Sequence, residues 1–226
     1  MAAGKCIVIP MSFLCFFLYS PSALQAAPPS WKAGAAAIAI TPERPLLLEG
    51  YVPAKIASGK IHDVYVKALA LQDPEGGRAV IVTADLSGYD YGFTAGIANE
   101  IGRKHGLSRE RVLFNASHTH SGPAIYPGEL QLLCGYPPEE AKKVDEYISW
   151  ARERFIRVIG DAISGMRPAI VSVSSASPAP FAMSRRYPTE KGIVYRSTPG
   201  GQYAGGPRDD TVPVLKAAAP DGTLIA

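Results

Sequence analysis

The chain has 226 residues, 47% hydrophobic and 19% charged, the balance of a folding globular protein and long enough for one large domain or two small ones. Its formal charge of +3 comes from 23 basic and 20 acidic residues with no Lys/Arg block among them, which argues against nucleic acid as a partner. Of the three cysteines, Cys6 and Cys15 fall in an apolar leader, so Cys134 alone would remain after its removal and neither a disulfide framework nor a cysteine-built zinc site is available.

In chain order, Lys5 precedes an apolar run over residues 6–19 that is shorter than the roughly 20 residues a membrane span needs. Small residues follow through Ala26 and Ala27. The expectation is a signal peptide over residues 1–26 and a secreted or periplasmic mature protein; the alternative is an uncleaved N-terminal anchor. Residues 34–40 are apolar and stop at Thr41-Pro42, predicting a first buried strand. Residues 45–61 carry Gly50, Pro53 and Gly59 and no sustained period, predicting a long loop.

Residues 63–72 alternate, with Val64, Val66, Ala68 and Ala70 opposed to Tyr65, Lys67, Leu69 and Leu71, which is strand periodicity. A turn over residues 73–77 leads into 78–86, a β-branched run too short for a helix, so the two should form a hairpin with the second strand central in the sheet. Phe93, Ile97 and Ile101 recur every four residues and Gly106 closes the pattern, predicting a helix over 93–105. Residues 111–117 are the next strand. Residues 139–165 form a long amphipathic helix behind Pro137-Pro138, with Val144, Ile148, Phe155, Ile159 and Ile163 on one face. Residues 169–175 and 212–217 complete the strands, with a glycine-rich loop over 200–206 between them. Asp221-Gly222-Thr223 reads as a hairpin turn into a strand starting at Leu224, and the expectation is that the sequence is cut short there. The fold class is α/β: a mixed β-sheet with helices packed on it.

Four histidines are present, His62, His105, His118 and His120. The last two lie i, i+2 in Asn115-Ala116-Ser117-His118-Thr119-His120-Ser121-Gly122-Pro123, at the mouth of a strand. On an extended backbone this spacing would put both rings on one face. Open metal sites use two or three imidazole or carboxylate ligands and leave a position for water, so the pair is a candidate metal site. A bare His-x-His also occurs as an ordinary surface or core pair. Asp85, ending the neighbouring strand, is a candidate partner for a ligand histidine's second ring nitrogen; its alternative role is to cap the following turn. His62 and Asp63 could reach the same rim. Ser184-Arg185-Arg186-Tyr187 could hold a substrate carbonyl or an oxyanion, or could be solvated surface charge. No Gly-x-Ser-x-Gly elbow, phosphate loop or dinucleotide glycine fingerprint occurs.

The run from Asn115 to Pro123 resembles the His-Thr-His-Ser-Gly-Pro signature of the neutral/alkaline, non-lysosomal ceramidase family. The resemblance extends through Ile61-His62-Asp63, Val66-Lys67-Ala68-Leu69 and Val80-Ile81-Val82-Thr83-Ala84-Asp85-Leu86, and Ser184-Arg185 falls where the family keeps an active-site arginine. It implies that residues 31–226 are the N-terminal part of a catalytic domain, incomplete at its C-terminus. It further implies Zn2+ as cofactor with His118 as ligand, His120 beside water and substrate, Arg185 on the substrate's polar head, and hydrolysis of the N-acyl linkage of a ceramide-like lipid. Peripheral contact with a membrane or micelle would follow from such a substrate. The family's remaining ligands and its active-site serine come later than residue 226, so the fragment alone is expected to be inactive. The sequence departs from the family pattern in having Ala124-Ile125 where glycines usually follow, and Ser184 where Asn usually precedes the arginine. Two other readings stand beside this one: a non-catalytic secreted binding module, and a zinc hydrolase with a different amide or ester substrate.

Overall fold

The computed structural model describes residues 30–51, 55–126, 137–176, 184–195, 209 and 211–226. The expected signal peptide over 1–26, Cys134 and the glycine-rich loop over 200–206 lie outside the described residues. The central sheet has the order β6-β5-β4-β1-β7, built from β1 (Lys32–Ala39), β4 (Tyr65–Gln72), β5 (Arg78–Ala84), β6 (Val112–Ala116) and β7 (Arg167–Pro168). Pairing is antiparallel throughout except between β5 and β6, which run parallel because α1 (Tyr91–His105) crosses between them. This is the mixed sheet with packed helices that the sequence predicts.

The alternation in β4 decides which face is covered. Val66, Ala68 and Ala70 are buried, as are Val80, Val82 and Ala84 of β5 beside them. Against this face lies α2 (Pro138–Ser164), whose Val144, Ala151, Phe155, Val158, Ile159 and Ala162 are fully buried. Gly34 in β1 permits the close approach: a Cβ there would overlap the backbone of the last turn of α2. The helix also anchors the strand end through the Tyr147 hydroxyl, which donates to the carbonyl of Ile40 at 2.7 Å.

Helix α1 packs on α2 and has ends that its sequence explains. Asp90 caps the start, its carboxylate accepting from the Phe93 amide at 2.8 Å. Gly106 stops the helix in the left-handed region at φ 63°, and Arg103, Lys104 and His105 sit in the last turn, where the helix dipole favours positive charge. The helix starts at Tyr91, two residues before the apolar repeat, because the cap rather than the apolar face sets the first turn.

The opposite face of the sheet carries Tyr65, Lys67, Leu69 and Leu71. Leu69 and Leu71 pack with Ala33, Ala169, Ala217 and Ile225, which joins this face to a two-stranded sheet of β8 (Ile170–Ala176) and β11 (Val212–Ala218). Asp221 and Gly222 form the expected turn, and Leu224 bridges back to Ala218. The predicted long loop over 45–61 contains two short strands, β2 (Leu47–Leu48) and β3 (Lys55–Ile56), paired with each other. A further hairpin is made of β9 (Arg186–Thr189) and β10 (Gly192–Tyr195). Among the described residues no helix is long and apolar enough to cross a membrane.

Candidate functional site

The parallel ladder carries β6 alongside β5 as far as Ala84 and Ala116, and one more bond, from the Ser117 amide to the Ala84 carbonyl at 3.0 Å, extends it. The chain then leaves the sheet. His118 has φ 58°, the only non-glycine in the left-handed region among the described residues. The same-face geometry of an extended His-x-His therefore does not apply, since the strand ends at Ala116 and His118 turns the chain. The rings nevertheless meet, edge to face, with centroids 5.1 Å apart. Both residues are exposed.

The His118 ring is held by the carbonyl of Ser87, 2.7 Å from Nδ1. A carbonyl only accepts, so Nδ1 carries a proton, and in the neutral ring Nε2 keeps its lone pair. This corrects the expectation for Asp85. Its carboxylate accepts from the Tyr65 amide at 2.9 Å, while the Asp85 amide donates to the Tyr65 carbonyl at 2.9 Å. The aspartate thus closes the end of the β4–β5 pair, among the described residues neither holding an imidazole nor capping the turn that follows it, and the histidine's partner is a main-chain oxygen two residues further on.

The His120 ring lies in a niche that the 47–51 segment makes. Main-chain bonds from Ala124 to Leu47 (2.7 Å) and from Glu49 to Gly122 (3.3 Å), with a bridge between Leu48 and Pro123, lay that segment beside the histidine loop. Gly50, at φ 85°, abuts the ring so closely that a Cβ there would stand 2.6 Å from Nδ1, and Tyr51 meets it edge-on at 5.9 Å. Tyr126 stands nearby; burial raises its pKa, with the negative charges of Glu49 and Asp90 adding to the rise. One oxygen of Glu49 is buried without a hydrogen-bond partner.

Behind the histidines, Tyr89 is inserted among Phe93, Phe114 and Phe155, with ring centroids 5.8–6.2 Å away. Its hydroxyl donates to the carbonyl of Asn115, three residues before His118. Burial drives its pKa well above the usual phenol value, with the Asp85 charge adding to the rise, so the hydroxyl stays protonated and able to donate.

The other residues singled out by the sequence are placed apart from this pair. Asp63 accepts from the Thr41 hydroxyl and from Lys60, both at 2.8 Å, and the His62 ring is 3.0 Å from the Asp63 carbonyl. They line a cavity of about 790 Å³ that reaches Ser121 and Pro123. Arg185 is exposed on the β9–β10 side of the chain, its guanidinium 5.6 Å over the Tyr195 ring. Among the described residues no hydrogen bond or ring contact joins it to His118 or His120. The Nε2 lone pair of the neutral His118 ring is of the kind that fills one corner of a zinc site. Among the described residues no group of three histidine, cysteine or carboxylate side chains could hold a metal ion. Sequence reasoning missed Gly50, Ser87 and Tyr89; only Gly50, a glycine inside an apolar segment, carried a local signal for close backbone approach.

No family model and no curated protein matches the sequence. Solved structures do. A neutral ceramidase from Pseudomonas aeruginosa is similar over 86% of this chain and 30% of its own, with a TM-score of 0.60 and 19% identity. A ceramidase complexed with C2 is similar over the same shares, with a TM-score of 0.59 and 20% identity. The chain therefore has the fold of a part of these enzymes and spans 30% of their length.

Proposed function

We propose that this chain supplies part of the active site of a zinc-dependent amidohydrolase that cleaves the N-acyl linkage of ceramide or a related N-acyl lipid, releasing a fatty acid and a sphingoid base. The observation that carries the reading is the His118–His120 pair on a ceramidase-type fold, with the proton of His118 committed to Ser87 and its Nε2 free to ligate. Zinc, when bound, would supply a Lewis acid and make water a competent nucleophile near neutral pH. His118 would be its ligand from this chain; the remaining ligands would come from outside the described residues, and the chain alone would be inactive.

The residues of the chain have defined tasks in this reading. His120, packed by Gly50 and Tyr51, would stand beside the scissile amide and exchange a proton with water or the leaving nitrogen. Arg185 would contact the polar head of the substrate, which requires the β9–β10 hairpin to stand at the site in the complete protein. A secreted or periplasmic location and peripheral contact with a membrane or micelle accompany a lipid substrate. A second reading is a secreted binding module that keeps the fold without the metal.

Zinc content and hydrolysis of a fluorescent short-chain ceramide, measured on the full-length protein and on His118→Ala, test the proposal. Bound zinc and turnover, both lost in the variant, are expected. A folded full-length protein that binds no zinc and cleaves nothing would leave the binding module. Zinc binding with hydrolysis of other amides or esters only would replace the substrate.

A further inference from the structure

We infer that Tyr89 is a positioning residue for His118, and that its hydroxyl fixes which imidazole nitrogen is presented for ligation. The inference rests on the reading of His118 as a zinc ligand. Its basis is a closed loop of contacts. The segment between β5 and α1 presents the Ser87 carbonyl to His118 Nδ1. Two residues later the same segment sends the Tyr89 hydroxyl to the Asn115 carbonyl. The segment is tied at one end by the paired main-chain and side-chain bonds of Asp85 to Tyr65 and at the other by the Asp90 cap of α1. Loop and histidine strand are thus cross-linked twice, once at the ring and once three residues upstream.

The Asn115 carbonyl lies at the end of the β5–β6 ladder, one register before the Ser117 amide makes its last bond to Ala84, so the phenol adds a side-chain bond where the chain is about to leave the sheet. Without the phenol, the Ser87–His118 bond would be the remaining side-chain hydrogen bond between loop and histidine turn among the described residues, beside the close approach of Gly122 to the Asp85 carbonyl. That turn holds a non-glycine residue at positive φ, a conformation that persists only where surrounding contacts over-determine it. The phenol is one of those contacts. Its ring is also core: stacked on Phe93 and edge-on to Phe155, it links the positions of α1 and α2 to that of the ring.

The hydroxyl and the aromatic packing can be separated. Tyr89→Phe removes the first and keeps the second, while Phe93→Leu perturbs the same cluster without touching the hydrogen bond. In the full-length protein, zinc affinity measured by competition with a chromophoric chelator should fall about 10-fold in Tyr89→Phe, the lower end of the range found when the direct partner of a metal-binding histidine is lost, because the phenol acts on His118 through the loop. It should stay within about twofold of the parent in Phe93→Leu at an equal or larger loss of thermal stability. An unchanged affinity in Tyr89→Phe, or an equal loss in both variants, overturns the inference. If the parent protein binds no zinc, the functional reading fails and a second measurement decides this one: ring 15N shifts of His118 in histidine-labelled, metal-free protein. A single tautomer protonated at Nδ1 in the parent and a mixture in Tyr89→Phe supports the positioning role; the same state in both refutes it.

Discussion

Gly34→Ala tests the packing that seats α2 on the sheet. A Cβ at this position would lie 2.2 Å from the carbonyl oxygen of Ala162, 2.7 Å from the amide nitrogen of Met166 and 2.8 Å from the carbonyl carbon of Gly165. All three are main-chain atoms, so no side chain can rotate to make room. Ordinary contact begins near 3.4 Å, and the last turn of α2 would have to withdraw from β1 by about 1 Å. That turn and the one before it carry Val158, Ile159 and Ala162, all fully buried, and opening such a seam costs about 1–3 kcal/mol. For a protein of this size each kcal/mol corresponds to about 2–4 °C in melting temperature, so thermal unfolding followed by circular dichroism should show a drop of roughly 2–12 °C. Gly96→Ala is the matched control. Its Cβ would meet only side-chain atoms of Arg152, at 3.7 Å and beyond. Inside α1 the exchange should raise stability by about 0.5–1 kcal/mol. A Gly34→Ala protein that melts with the parent, or a Gly96→Ala protein that falls as far, would refute the reasoning.

Gly50→Ala combines positive φ with a clash on the His120 ring; hydrolysis of the ceramide probe by the full-length protein should fall at least about tenfold with zinc content unchanged. Tyr147→Phe leaves the buried Ile40 carbonyl without its donor and should cost about 1–3 kcal/mol by denaturant titration, against no change if that carbonyl reaches water. The carboxyl of Asp63 is held below its ordinary value of 3.8, first by the Lys60 hydrogen bond and then by the Thr41 hydroxyl. A depressed folded-state pKa gives a contribution that is complete above the ordinary value and lost as pH falls through the folded one. Hydrogen exchange at the Val64 amide, which donates to Thr41, should therefore accelerate below about pH 4 in the parent and show no such acid step in Asp63→Asn.

The elements that the sequence made legible are those with a period and a stop. The alternation of β4, the β-branched run of β5 and the four-residue repeat ending at Gly106 each identify an element without tertiary information, and together they order most of the central sheet. Short pieces were not legible: β2 and β3 have two residues each, too few to show any period, and they exist because Leu47 and Leu48 also pair with the 123–124 segment. At the candidate site the residue types could be read and their partners could not. Asp85 was the natural acidic neighbour for an imidazole, yet the acceptor is a main-chain oxygen, and every residue carries one. Which carbonyl reaches Nδ1 depends on the left-handed turn at His118, and a histidine gives no sequence cue for that conformation. Tyr89 was equally silent because its role joins a loop to a strand through a carbonyl.

The left-handed conformation of His118 has an evolutionary consequence. At φ 58° glycine would sit without penalty and asparagine with little, so the imidazole is carried there against a local stability gradient of order 1 kcal/mol. A lineage released from whatever that ring does would be expected to drift toward glycine or asparagine at position 118 and to gain thermal stability by doing so. His118→Gly that melts above the parent while losing zinc would show the trade directly, and the residue found at this position would then separate working descendants of the fold from retired ones.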